Sequence, residues 1–235
     1  MTTPRRPIVY IISAPSGSGK STLVNELLKI VPNLDFSISY TTRDPRGSER
    51  NGKQYNFVTR DEFQRMVRED QFLEYADVFG NFYGTARRFL KEAEHNGHDL
   101  LLDIDVQGAG QIQKKLSDAV SIFVLPPDKQ TLEWRLRKRG EDREEVIRRR
   151  LDTATREIEQ YGKYNYILIN DQLEQSVEKL QAIVLAERLQ HSSQALTDEE
   201  GTILKMADGL RLENVKDRIR PILESFRKPP PPAQP

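Results

Sequence analysis

The chain has 235 residues with 36 basic and 36 acidic side chains, so no global field draws it to nucleic acid or anionic lipid. It has no cysteine, which excludes disulfides, thiolate nucleophiles and thiolate metal sites. No apolar run approaches the roughly 20 residues of a membrane-spanning helix, and the length suffices for a substantial core.

The first predicted element is a strand over the apolar run Ile8-Val9-Tyr10-Ile11-Ile12. Arg5-Arg6 ahead of it imitates a secretory leader only superficially, because cleavage there would remove residues that lead straight into the next motif. That motif is Ala14-Pro15-Ser16-Gly17-Ser18-Gly19-Lys20-Ser21-Thr22. Its spacing lets successive backbone N–H groups converge on phosphate oxygens at a helix N-terminus. Lys20 is expected to meet the β and γ phosphates of a nucleoside triphosphate, and Ser21 to hold Mg²⁺. The helix that must follow is visible in Leu23, Val24, Leu27, Leu28 and Val31, three to four apart on one face. Ala14 stands where the usual pattern has its first glycine, and alanine tolerates positive φ poorly.

Asp35 to Ser39 reads as a short strand opening Ser39-Tyr40-Thr41-Thr42-Arg43-Asp44-Pro45-Arg46-Gly47, where Pro and Gly hold two arginines in a loop. Arginine presents a planar fork suited to bidentate phosphate contact, although two solvated surface arginines would look the same in this window. Asp99 to Ile104 reads as a buried parallel strand. Its end, Asp103-Ile104-Asp105, is expected to put two carboxylates on one side, where open α/β sheets bind ligands. Ser121 to Leu125 is the next strand. Then come one helix carrying Leu132, Arg135, Leu136 and Arg139, a turn at Gly140, and a second helix carrying Arg148, Arg149 and Arg150. Nine basic residues stand against five acidic ones between Arg135 and Arg156. Tyr166 to Ile169 is the last core strand, followed by a helix from Leu173 to Leu189.

The run Ser39 to Val58, with Thr41-Thr42-Arg43, Pro45-Arg46, Glu49, Gly52 and Tyr55-Asn56-Phe57-Val58, resembles the GMP-binding segment of guanylate kinases. The resemblance continues through Glu74, Gly80-Asn81-Phe82-Tyr83-Gly84-Thr85 and Leu102 to Gly108, and spans about residues 6 to 190. It implies an α/β P-loop kinase with a parallel-sheet core (6–36 and 97–190), an inserted mixed α+β GMP-binding lobe (about 37–96) and a helical lid (about 135–156). Glu74 and Asp105 would then accept from guanine N1–H and the 2-amino group, with the hydroxyls of Ser39 and Thr85 on the O6 and N7 side. Arg43, Arg46, Tyr55 and Tyr83 would hold the GMP phosphate. Arg135, Arg139 and Arg150 would clamp the ATP phosphates and the transferred group, and the adenine edge would be read at Asn170-Asp171. Implied with these are ATP and GMP as ligands, with dGMP open, Mg²⁺ as cofactor and a cytoplasmic location. No nucleic-acid or membrane partner is expected, and monomer versus homo-oligomer stays undecided. Two alternatives remain: a guanylate-kinase-like domain turned protein-binding scaffold, and a kinase of another nucleoside monophosphate or a sugar phosphate.

Residues 191–228 lie beyond the resemblance as a helical extension. Thr197-Asp198-Glu199-Glu200 is a capping-box pattern, and Leu212, Val215, Ile219, Ile222, Leu223 and Phe226 share one helical face. That face must pack on its own domain or on another subunit. Pro221 is expected to kink or split the helix. Residues 229–235 read as a disordered proline-rich tail.

Overall fold

Strands buried on both faces need unbroken apolar runs, and the computed structural model puts such runs where the chain supplies them. In chain order the first half holds β1 (Val9–Ser13), α1 (Lys20–Ile30), β2 (Leu34–Ser37), β3 (Tyr40–Thr41), β4 (Asn56–Phe57), α2 (Arg60–Arg68), β5 (Phe72–Val78), β6 (Asn81–Ala86) and α3 (Arg87–Asn96). Then follow β7 (Asp99–Asp103), α4 (Val106–Lys115), β8 (Val120–Leu125), α5 (Lys129–Lys138), α6 (Glu144–Ile158) and β9 (Tyr166–Ile169). The chain ends in α7 (Leu173–Gln190), α8 (Asp198–Asp208) and α9 (Leu212–Arg227). The structure describes residues 6–78, 80–138, 143–190 and 196–227; Arg139, the Gly140 turn and the tail 229–235 lie outside the described residues. None of the described helices is long and apolar enough to cross a membrane.

The described residues form two compact units. One holds the chain up to Ser13 together with Leu28–Ser121; the other holds Ala14–Leu27 and the chain from Ile122 onward. In the first unit β2, β7 and β1 run parallel in that order, with Val9 opposite Leu100 and Leu34 opposite Asp99. Leu100, Leu101 and Leu102 are fully buried, as the apolar run requires. A mixed sheet in the order β4-β3-β6-β5 belongs to the same unit, with β3 and β4 parallel and the other pairs antiparallel. Phe63 of α2 stacks on Phe72 and Phe82 of this sheet, at ring-centroid distances of 4.5 and 5.4 Å.

The reading of Asp103 and Asp105 as neighbours on one side of a strand is corrected. β7 ends at Asp103, and Asp105 is the N-cap of α4, its Oδ1 accepting from the Gly108 N–H at 2.8 Å. An Asp three residues ahead of an unpaired N–H captures that donor and starts a helix sooner than it extends a strand. β2 likewise spans Leu34–Ser37, so Ser39 lies in the connection to β3.

In the second unit β8 and β9 pair in parallel, Ile122 facing Tyr166 and Leu125 facing Ile169. α5 and α6 pack on each other, α7 lies on β9, and α8 packs on α7. The capping box at Thr197 forms with both reciprocal bonds. α9 runs through Pro221 as one helix, so the expected split does not occur. Its buried residues Val215, Ile219, Ile222 and Phe226 flank the proline on one face, and their packing outweighs the lost backbone bond.

Candidate active site

In the first unit, Glu74 on β5 is buried, at 3 % exposure, and its Oε1 accepts the Thr85 hydroxyl of β6 at 2.6 Å. A Cβ placed at Gly108 would sit 3.3 Å from Asp105 Oδ1 and 3.0 Å from Glu74 Cδ, inside contact distance of Oε2. The two carboxylates therefore converge over Gly108, which leaves them room only by having no side chain. Burial pushes the Glu74 carboxyl up to about 7, with the Asp105 charge adding to the rise and the Thr85 hydrogen bonds opposing it. This cluster presents oxygen acceptors, the complement of a ligand edge rich in N–H donors.

Arg43 follows β3 and is engaged on every side. Its Nε donates to Tyr83 Oη at 3.2 Å, Nη1 to the Asp44 carbonyl, and Nη2 to both oxygens of Glu49 at 3.0 and 2.9 Å. Burial works against its charge, but Glu49 and Tyr83 outweigh that and hold the guanidinium above its ordinary pKa. It also lies 5.4 Å from the centroid of the Tyr55 ring, which in turn sits 5.8 Å from that of Tyr83. Burial and the Asp103 carboxylate push the Tyr55 phenol up to about 12, so it is a neutral donor at ordinary pH. Arg46 is exposed, and its backbone N–H donates to Glu49 at 2.8 Å. The half-buried Ser39 gives its carbonyl to the Asn56 N–H. Arg43, Tyr55 and Tyr83 are thus brought together, as are Glu74, Thr85 and Asp105. Glu49, quoted in the sequence only as part of a motif, proves to be the anchor of Arg43.

In the second unit the loop 14–19 turns into the N-terminus of α1. Ser18 N–H closes a turn on the Pro15 carbonyl at 3.1 Å, and Gly17 and Gly19 adopt φ of 94° and 86°, which side chains resist. Ala14 is not among the described residues with positive φ, so its methyl group is no obstacle to the loop. Leu132 and Leu136 of α5 close on Gly17, their methyl groups 3.1 and 2.8 Å from where a Cβ would stand. Asn170, at the end of β9 and only 6 % exposed, donates its amide to the Ser18 carbonyl at 2.7 Å. Sequence reasoning gave Asn170 to a base edge; its side chain holds the loop.

Arg135 of α5 donates through Nη2 to the Asn170 carbonyl at 3.0 Å, while its buried Nη1 has no hydrogen-bond partner among the described residues. Burial lowers its pKa, opposed by Asp171 and Asp128. A buried guanidinium N–H with no acceptor among its described neighbours is suited to pairing with an anion. Beside it lies a cleft of about 200 Å³ lined by Gly17, Gly19, Trp134, Arg135 and Lys138. Lys20 and Ser21 open α1, and Ser21 is exposed. Arg150 lies half-buried on α6. Arg137, by contrast, is exposed and paired with Glu133 and Glu144, as expected of a solvated helical face. Trp134 and Lys138 escaped the sequence reading, since no motif includes them; their spacing of four beside Arg135 was the available signal.

A family model described as "Guanylate kinase" matches residues 5–187. The guanylate kinase of Koribacter versatilis is 55 % identical over 222 residues, covering 93 % of this chain and 95 % of that protein. That of Escherichia coli K12 is 49 % identical over 188 residues, covering 79 % of this chain and 91 % of that protein. Among solved structures, the crystal structure of guanylate kinase from Anaplasma phagocytophilum superposes with a TM-score of 0.65 at 35 % identity, covering 78 % of this chain and 87 % of that one. The Koribacter match covers more of this chain than the Escherichia match does, 93 % against 79 %.

Proposed function

The chain belongs to the guanylate kinase family, an α/β P-loop kinase fold with phosphotransferase activity, and from that premise we propose how its residues divide the work of moving the ATP γ-phosphoryl group to GMP. The buried Glu74 carboxylate carries the reading. Guanine offers N1–H and the 2-amino group as donors, whereas adenine offers an acceptor at N1, so a carboxylate there favours guanine and leaves adenine unsatisfied. Asp105 supports Glu74 from the α4 cap, and Thr85 and Ser39 serve the O6 and N7 side. Arg43, Arg46, Tyr55 and Tyr83 hold the GMP phosphate, which must share or exchange the contacts Arg43 makes with Glu49.

On the ATP side, the backbone from Ala14 to Gly19, with Lys20, Ser21 and Thr22, grips the β and γ phosphates at the α1 N-terminus. Asn170 braces this loop at Ser18, beside the place where the adenine edge is read. Mg²⁺, when bound with ATP, neutralises charge on the β and γ oxygens. The exposed Ser21 hydroxyl in the first turn of α1 is a hard oxygen donor of the kind that ion takes. No protein nucleophile is required, because the acceptor is an oxygen of the GMP phosphate and catalysis is positioning plus charge stabilisation. Lys20, Arg135, Arg139 and Arg150 supply that charge to the transferred group. The Arg135 Nη1, buried without an acceptor among the described residues, is the observation that supports its part. This reading puts the enzyme in the cytoplasm, where ATP and GMP are held.

A coupled assay of ADP release against GMP, dGMP, AMP, UMP and CMP tests the proposal. GMP is expected to lead the other bases by about 10⁴-fold or more in kcat/KM, as for a site that hydrogen-bonds its substrate. Equal turnover of AMP would overturn the guanine assignment, and no turnover of any acceptor would favour a binding role.

A further inference from the structure

The helices after Gln190 are tied to the ATP-binding unit by more than an apolar face. Leu210 to Leu212 runs antiparallel to β9: the Ile167 N–H donates to the Leu210 carbonyl at 2.8 Å, and the Leu212 N–H to the Asn165 carbonyl at 2.9 Å. Arg211 then lies 4.9 Å from the centroid of the Tyr166 ring and 3.4 Å from Glu187, a buried carboxylate that also accepts the Tyr166 hydroxyl. These contacts set the direction of α9, which packs on β9, α5 and α6.

One of the contacts reaches α5 at its start. The first N–H groups of a helix lack partners within it. In α5, Asp128 takes the Thr131 N–H at 2.6 Å, and the Lys129 N–H donates to Ser225 Oγ of α9 at 3.1 Å. Ser225 is itself oriented by donating to the Ile222 carbonyl at 2.7 Å. α5 carries Leu132 and Leu136 against Gly17, and Arg135 against Asn170, whose amide holds Ser18. A continuous series of packed and hydrogen-bonded groups therefore runs from Ser225 through α5 to the phosphate loop, within one unit.

We propose that α9 is a built-in brace of the triphosphate site, with Ser225 a positioning residue that fixes α5 against the phosphate loop. The inference rests on the reading that this loop and Arg135 bind ATP. It implies that loosening α9 weakens ATP and leaves GMP untouched, because Glu74, Asp105 and Arg43 belong to the other unit.

The test uses the full chain carrying Ser225→Ala, Ser225→Thr, Ile222→Ala or Lys20→Ala, with KM measured separately for ATP and GMP. Emission of Trp134, the sole tryptophan and a residue of α5, is followed as ATP is added. Loss of a capping hydroxyl is worth a few-fold to about tenfold in an equilibrium. Ser225→Ala should therefore raise KM for ATP about three- to tenfold and shift the Trp134 titration equally, with KM for GMP within twofold. Ser225→Thr should restore both, and Ile222→Ala should move KM for ATP in the same direction. The brace is refuted if ATP and GMP constants rise together, if KM for ATP stays unchanged while Lys20→Ala abolishes turnover, or if threonine fails to rescue. Unchanged turnover in Lys20→Ala would instead overturn the site reading on which the brace depends.

Discussion

On the proposed reading, the acceptor-side cluster and the phosphate loop solve opposite problems. Around Glu74 and Arg43 nearly every polar group is already engaged: Thr85 on Glu74, Gly108 on Asp105, Glu49 and Tyr83 on Arg43. Around Gly17 and Arg135 the protein presents backbone, a cleft and a buried guanidinium nitrogen without a hydrogen-bond acceptor among the described residues. A site that must tell guanine from adenine needs groups fixed in advance, since a mismatch is penalised only if the group cannot turn away. A site that grips phosphate needs charge and open donors, since phosphate oxygens accept from any direction.

The largest expected effect is on the loop side. Lys20→Ala should lower kcat by about 10³-fold or more, because its ammonium acts where charge develops. GMP binding measured by calorimetry should stay within about twofold, and near-wild-type turnover would erase the contrast between the two regions. Glu74→Gln should act in the opposite way. It swaps one acceptor oxygen for a donor facing the guanine N–H groups, so KM for GMP should rise and the GMP to AMP ratio of kcat/KM should collapse by at least about 100-fold. An unchanged ratio would place base recognition elsewhere.

Gly108→Ala sharpens the comparison without removing any polar group. The new methyl group meets the Glu74 carboxylate, and overpacking of this kind costs typically 1–3 kcal/mol, so KM for GMP should rise about tenfold while KM for ATP holds. The same change should leave the α4 helix intact or firmer, since alanine is the better helix former. Thermal melting separates that outcome from unfolding.

Glu74 gives the acceptor side a pH dependence of its own. Glu74 has its folded pKa raised from 4.5 to about 7, so without ligand its contribution to stability is complete below 4.5 and lost as pH rises towards and through 7. The total is at most roughly 3 kcal/mol at 1.36 kcal/mol per unit. Guanine requires the charged acceptor, so KM for GMP should fall as pH rises from 6 to 8, by up to about tenfold per unit below pH 7. GMP binding near neutrality should also release a proton, measurable by calorimetry in buffers of different ionisation enthalpy. A flat profile would show that Glu74 is ionised already in the free enzyme.

Local chemistry explains how much was legible beforehand. The turn from β1 into α1 could be read because it is built from consecutive residues, with Gly17 and Gly19 at positive φ just ahead of α1. The Thr197 capping box was legible for the same reason, as its partners stand three residues apart. Asp105 was misread because an aspartate at a strand end can extend the strand or cap the next helix. Here the Gly108 N–H decided it. Arg137 stands four residues after Glu133, a spacing that pairs side chains on a solvated helical face, and it forms ion pairs with Glu133 and Glu144.

From its residues alone the sequence determined the buried core strands, the helices α1, α7 and α9, the acidic and basic inventory of both regions and the amphipathic face of α9. Only the tertiary structure decided that Gly108 makes room for Glu74, that Asn170 holds a carbonyl 152 residues away, and that Ser225 caps a helix 96 residues before it. Spacing along a chain fixes partners within a turn of helix or a pair of strand residues. Partners separated by a hundred residues are chosen by how the buried faces stack, and a hydrogen bond between them forms only after packing has excluded the alternatives.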